Sequence, residues 1–260
     1  MQIVSRNSLL TTIITIVICT TTISCTNNKS YRPERIKSEV ISVNNSVSKN
    51  QELSDFIKPY KNAIQLEMDS ILAYAPASYS KKDSKYNTAV GNMMADAIYE
   101  IANPVFQKRA GYPFDAVLLN YGGIRSALNK GPVTTRTAYE LMPFENEVVV
   151  VELSGKQLNE MFKYLKQGVA HPLSGIQFEL NGDGSIKKAQ IQGRNIVENE
   201  TYFIATSDYL KNGGDNMTFF SNPISILSLD YKIRNVLIDY FKKKDTIAPT
   251  TDNRFTKDSK

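Results

Sequence analysis

Beyond residue 50 the apolar positions follow a few distinct patterns, and these predict the elements. At 53–71, Leu53, Phe56, Ile57, Tyr60, Ile64, Met68 and Ile71 recur at steps of three or four, the spacing of an amphipathic helix, with Pro59 placed to kink or restart it. Residues 72–86 predict a short strand and a polar loop. A second helix follows over 88–101, capped by Thr88, with Val90, Met93, Met94, Ala97, Ile98 and Ile101 inward. Residues 116–119 form an unbroken apolar run, as in a strand buried on both faces. A short helix is predicted over 137–141, ended by Pro143, and 147–153, EVVVVEL, is a central strand. Ser154 caps the next helix, whose Leu158, Phe162 and Leu165 face inward. Residues 176–180 and 186–191 flank Asn181-Gly182-Asp183-Gly184, a hairpin signal, and 201–207 is another strand. Ser228 is placed to cap a last helix that carries Ile233, Val236, Leu237, Tyr240 and Phe241. Strands and helices alternate without βαβ regularity, so the fold class is α+β, with mixed sheets packed against helices.

This domain is expected to occupy residues 51–260, behind two other segments. Residues 1–25 have the character of an export signal. Arg6 is followed by LLTTIITIVICTTTI at 9–23, too short for a comfortable membrane span. The segment ends in Thr22-Ile23-Ser24-Cys25, which resembles a bacterial lipobox, with Thr22 where leucine is usual. Lipidation of Cys25 is the expectation, because Cys25 is otherwise an isolated thiol in an exported protein; a plain signal peptide cleaved nearby is the alternative. Residues 26–50, rich in Ser, Asn and Lys, are expected to be a flexible tether. The protein is then exported and anchored by lipid to a bacterial membrane, facing the periplasm or the cell surface.

Composition narrows the chemistry. With 42% apolar and 22% charged residues the chain is of ordinary globular make-up. The net charge of +5 forms no stripe, and the run Lys242, Lys243, Lys244 falls at a helix end, where cations suit the dipole, so a nucleic-acid polymer is not an expected partner. The single histidine, His171, precedes Pro172 and reads as a surface loop residue. No H-x-x-x-H, D-x-H or C-x-x-C spacing occurs, so no dinuclear metal site is expected within the chain.

The candidate chemistry lies in two glycine turns, each following a strand. The first is Asn120-Tyr-Gly-Gly-Ile-Arg125, where Gly122 and Gly123 allow positive φ and close backbone approach. The second is Tyr209-Leu-Lys-Asn-Gly-Gly-Asp215. A third piece, Met142-Pro143-Phe144, precedes the central strand. Phe144 and Tyr209 offer two aromatic faces that can sandwich a planar base. Asp215 can accept both hydroxyls of a ribose diol, and Arg125 suits phosphate or ribose oxygens. Core aromatics and two unrelated turns are the blander alternative.

The motifs N-x-G-G-I-R, G-P-V-T, P-F-x-N-x-V-V-V-V-E-L-S-G-K-Q-L and D-Y-L-x-N-G-G-D occur in this order over residues 85–255, and the stretch resembles the C-terminal domain of the 5'-nucleotidase family. The resemblance implies a nucleoside or nucleotide ligand. Phe144 and Tyr209 would clamp the base, Asp215 would hold the ribose, and Asn120, Gly122, Gly123 and Arg125 would line the ribose and phosphate side. In that family an N-terminal metallophosphatase domain carries two metal ions and performs the hydrolysis, so the resemblance places the dinuclear metal on a separate partner chain and no catalytic residue here. Gly91-Asn92 keeps the family pattern, but Tyr86 and Asn87 stand where an arginine and a glutamate are common, with Lys85 as a possible substitute cation. The leading reading is the substrate-specificity part of a split 5'-nucleotidase, with a nucleoside-capturing lipoprotein as the alternative.

Overall fold

The computed structural model describes residue 33 and residues 35–259. The expected export signal and Cys25 lie outside the described residues, as does the start of the expected tether. The chain divides into two units between Gln51 and Glu52. Residues 35–50 contain no helix or strand, and their one turn is closed by Asn44, whose side chain accepts from the Ser46 amide at 2.9 Å.

The second unit opens with helix α1 (Gln51–Met68), which runs unbroken through Pro59. The helix does not restart at the proline, because it is exposed there and water can satisfy the carbonyl that a proline leaves without a donor. None of its residues is buried, and Phe56, Ile57, Tyr60 and Ile64 stand on the surface. Strand β1 (Ile71–Ala75) and a polar loop lead to α2 (Ala89–Ala110). The Thr88 side chain caps α2 by accepting from the Gly91 amide at 3.2 Å. The helix passes Pro104 and ends only at Gly111, whose left-handed φ of 88° terminates it.

Strand β2 (Ala116–Leu118) is followed by a 3-10 turn (Tyr121–Gly123), β3 (Gly131–Thr134) and α3 (Thr135–Leu141). Helix α3 begins at Thr135, two residues before the predicted start, with Thr134 as its N-cap; Thr134 and Thr137 form a reciprocal capping box. Next come β4 (Glu147–Ser154) and α4 (Gly155–Leu165), the latter with a Ser154–Gln157 capping box. Then follow β5 (Leu173–Ser174), β6 (Ile176–Leu180), β7 (Ile186–Ile191), β8 (Arg194–Asn195) and β9 (Thr201–Ser207). The short helix α5 (Asp208–Lys211) leads to β10 (Ser225–Lys232), α6 (Ile233–Lys242) and β11 (Phe255–Lys257). Ser228 is therefore not a helix cap. It pairs with Val149 inside β10, whose Leu227, Leu229 and Tyr231 alternate with polar residues at the period of a strand.

The central sheet has the order β10-β4-β9-β2-β5, with β2 and β9 parallel and the other pairs antiparallel. A second sheet, β11-β6-β7-β8, is also mixed, and β1 pairs with β3. The architecture is thus α+β with mixed sheets and helices. The central sheet lies between two cores. Val117, Leu119, Val148 and Val150 face α2 and α6, and Ala116, Leu118, Val151 and Leu153 face α4 and the second sheet. Burial on both faces is why these strands are apolar almost without alternation.

Candidate functional site

The sheet order sets the site. Because β2 runs parallel to its neighbour β9, both strands release their chains at the same edge. Because β4 runs antiparallel to β9, with Val148 opposite Ser207, β4 begins at that edge too. Three segments distant in sequence meet there, as ligand-binding segments do at the carboxyl ends of open sheets. They enclose a cavity of about 600 Å³ lined by Asn120, Gly122, Gly123 and Arg125 from the first turn, Met142, Phe144, Glu145 and Asn146 before β4, and Ser207, Asp208, Tyr209 and Asp215 after β9. All seven residues singled out in the sequence for the binding site line this one cavity. Its size falls within the roughly 300–1,000 Å³ of small-molecule sites.

Asp215 is the hub. Its Oδ2 accepts from the Asn120 amide at 2.8 Å and its Oδ1 from the Tyr209 hydroxyl at 2.8 Å. The Tyr164 hydroxyl donates to the Asp215 carbonyl at 2.9 Å. These bonds hold Asp215 at φ 51°, a left-handed conformation uncommon outside glycine. The bond to Asp215 raises the Tyr209 pKa above its ordinary value, and burial, then the Asp215 charge, raises that of Tyr164.

The glycines are there for space. A Cβ on Gly214 would fall 2.4 Å from the Tyr209 ring, so that ring lies across the backbone of Gly214. A Cβ on Gly123 would fall 2.8 Å from Asn120 Oδ1. Gly122 and Gly123 do not use the positive φ that glycine permits; Gly213, at 92°, does. Phe144 and Tyr209 are 40% and 45% exposed, unusually open for large aromatics, and neither is a core residue.

Several residues outside the sequence expectation complete the site. Asp208 Oδ1 accepts from the amides of Tyr209 at 2.8 Å and Glu147 at 3.2 Å and from Asn146 Nδ2 at 2.9 Å, pinning the start of β4 to the end of β9. Arg234, buried on α6, lies 4.0 Å over the Tyr139 ring, donates to the Phe144 carbonyl at 3.3 Å and bonds Glu145. Lys232 also bonds Glu145, and Lys232 and then Arg234 hold its carboxyl well below the usual carboxylate range. Asn146 was legible as the N of P-F-x-N and Asp208 as the first D of D-Y-L-x-N-G-G-D, though neither was assigned a role; Arg234 carried no signal of its own.

His171 is not on the surface. It is 4% exposed, and its Nδ1 accepts from the Tyr121 amide at 3.1 Å, which fixes the first turn. Burial pushes its pKa down to about 4 against the opposing pull of Asp215, so it is neutral, as an acceptor must be. Lys85 does not line this cavity; its Nζ lies 5.4 Å from the centre of the Tyr86 ring, which packs against Phe255. Among the described residues no group of three or more His, Cys, Asp or Glu side chains is placed to hold a metal ion, so the donor set does not fit a dinuclear centre. No helix among them is long and apolar enough to cross a membrane.

The model of the 5'-nucleotidase C-terminal domain matches residues 70–222. The trifunctional nucleotide phosphoesterase protein YfkN of Bacillus subtilis is 24% identical over 237 residues, 83% of this chain and 16% of that protein. Protein UshA of Escherichia coli is 20% identical over 219 residues, 81% of this chain and 38% of that one. The 5'-nucleotidase precursor of Thermus thermophilus shares the fold, with a TM-score of 0.65 and 20% identity over 80% of this chain and 43% of its own. The chain thus spans less than half the length of these relatives. With four of the five strands of its central sheet, β4, β9, β2 and β5, and its three converging motifs inside the matched region, the chain belongs to the family of 5'-nucleotidase C-terminal domains.

Proposed function

We propose that this domain recognises the nucleoside part of a nucleotide and serves as the specificity half of a split 5'-nucleotidase, with hydrolysis carried out by a separate metallophosphatase chain. The observation that carries this reading is the cavity itself: two exposed aromatic faces beside a carboxylate already oriented by Asn120 and Tyr209. Aromatic faces take a base of any kind, with about 1–3 kcal/mol for each stacking contact. The Asp215 oxygens would accept from a ribose diol, and Arg125, on the wall of the same cavity, would meet the phosphate. The relatives named as a nucleotide phosphoesterase and a 5'-nucleotidase support the same ligand class.

The full chain should bind adenosine with an affinity on the order of micromolar to millimolar. Phe144→Ala and Tyr209→Ala should weaken all bases alike by calorimetry. Absence of saturable binding of any nucleoside at millimolar concentration would overturn the reading. Alone, the chain should not hydrolyse AMP with Mg²⁺, Mn²⁺ or Zn²⁺; chelator-sensitive turnover by this chain refutes the split. If no metallophosphatase accelerates with it, the protein instead captures nucleosides for uptake. The protein is anchored through a lipid on Cys25, and Cys25→Ser should release it from the membrane fraction.

A further inference from the structure

Phe144 has a position to keep and little of its own to keep it with. Its ring is open to solvent and belongs to neither core. It follows Pro143, which has no N–H, in a stretch between α3 and β4 that is neither helix nor strand. A ring that packing does not lock takes its place from its backbone. Three consecutive residues of that stretch are held by the start of α6. Arg234 donates to the Phe144 carbonyl at 3.3 Å, Arg234 and Lys232 both bond the Glu145 carboxylate, and the Ile233 amide donates to the Asn146 carbonyl at 3.0 Å.

A bulge brings the start of α6 there. Ser228 pairs with Val149 and Lys232 with Glu147, so four steps along β10 match two along β4, and Asp230 within the bulge is left-handed at φ 50°. The surplus turns residues 232–234 over the start of β4, in the way that bulges re-aim side chains beside binding sites. Of the two cations Arg234 is the buried one, with a side chain 5% exposed against 41% for Lys232. Its guanidinium carbon lies 4.0 Å from the centre of the Tyr139 ring on α3, and its Nε is buried without a hydrogen-bond partner among the described residues. A buried and incompletely paired guanidinium is a poor source of stability, since an apolar side chain of the same volume commonly serves as well. What the planar fork adds is direction: it meets a carbonyl and a carboxylate together in one orientation, and the Tyr139 face fixes its plane.

We propose that Arg234 is a positioning residue for base recognition, which sets where the Phe144 ring stands through the Phe144 carbonyl and the Glu145 carboxylate. The proposal rests on the reading that the cavity holds a nucleoside.

The test is a double-mutant cycle on the full chain, read as adenosine affinity by calorimetry. Phe144→Ala should cost at least about fivefold, the lower end of one stacking contact. Arg234→Met, which keeps the volume and loses the fork, should cost a similar factor in the wild-type background and nothing further when Phe144 is already alanine. Losses that multiply in the double variant mean that Arg234 does not act through Phe144, and overturn the proposal. Arg234→Lys keeps the buried charge but cannot span both partners, and should still lose about threefold or more. Wild-type affinity in Arg234→Lys also overturns the proposal, and this arm holds where Arg234→Met does not fold. The free protein gives an arm independent of any ligand. The centre of the Phe144 ring lies 5.8 Å from the Arg125 guanidinium carbon. NMR contacts between these two side chains should be lost in Arg234→Lys, while those between the Tyr209 ring and Gly214 persist. Phe144–Arg125 contacts that survive overturn the proposal. Their loss in a chain that binds no nucleoside would sink the ligand reading and leave Arg234 as the residue that places Phe144.

Discussion

At the end of β2, the paired glycines Gly122 and Gly123 keep ordinary backbone angles, and the turn uses only their missing Cβ atoms, which leave room for the Asn120 amide. At the end of β9 the pair divides the task. Gly213 takes a left-handed φ of 92°, Gly214 yields its surface to the Tyr209 ring, and the next residue, Asp215, is itself left-handed at 51°. The first turn is held from below by the buried His171, the second from the side by the Tyr164 hydroxyl. Two strand-then-Gly-Gly motifs that look alike in sequence therefore store their order differently. One depends on a neutral buried base, the other on backbone conformation and hydrogen bonds to a carboxylate.

Acid should break this symmetry most. In the folded protein the pKa of His171 lies at about 4, against an ordinary value of 6.5. The unfolded chain therefore binds the proton first, and the stability that the neutral imidazole contributes is complete above about pH 6.5 and is lost as pH falls toward 4. The linkage amounts to at most about 3 kcal/mol. Chemical denaturation at pH 7 and pH 4.5 should show the loss, and His171→Asn should flatten it. A pH dependence unchanged by His171→Asn would remove His171 as the support of the first turn.

Substitution at the glycines should rank the turns next. Gly214→Ala drives a methyl into the Tyr209 ring and should cost about 1–3 kcal/mol and at least tenfold in nucleoside affinity. Gly123→Ala meets the movable ends of two side chains, Asn120 at 2.8 Å and Met142 at 3.5 Å, and should cost less than half as much. The reverse order in thermal melts and titrations would mean that the first turn is the tighter one. The smallest effect on stability is expected for Asp215→Asn. Asparagine tolerates the left-handed region, so stability should stay within about 0.5 kcal/mol. The preference for nucleoside over free base should nonetheless fall severalfold, because the anionic acceptor is gone.

Where one local pattern decides an element, the sequence was legible. Thr88 and Ser154 cap their helices, EVVVVEL lies inside the central sheet, and the hairpin forms across Asn181–Gly184 as its turn residues demand. Errors arose where two patterns overlap. Ser228 looks like a helix cap until the alternation of Leu227, Leu229 and Tyr231 is weighed, and that alternation wins. The α1 stripe predicts burial, yet Phe56, Tyr60 and Ile64 are exposed, since periodicity shows that a helix has an apolar face and not what covers it. In the site, the motif residues converge because β4, β9 and β2 are neighbours, and pairing between distant strands cannot be read locally. For the same reason the roles of Asp208 and Arg234 were not anticipated: each acts through a partner about sixty or more positions away.

The parallel placement of β2 beside β9 has a kinetic consequence. The Asn120–Asp215 bond closes a span of 95 residues, and the register Ala116–Ile204 must be found before that bond can form. Loops of this length close slowly, while the β6–β7 hairpin and the capped α4 are local and can form early. On this argument the cavity should be assembled after the rate-limiting step, with its polar contacts absent from the folding transition state. Removing Asn120 or Asp215 side-chain bonds should steepen escape from the native state while the refolding rate stays the same. A bound ligand would, by that logic, act as a brake on unfolding and never as a guide to folding.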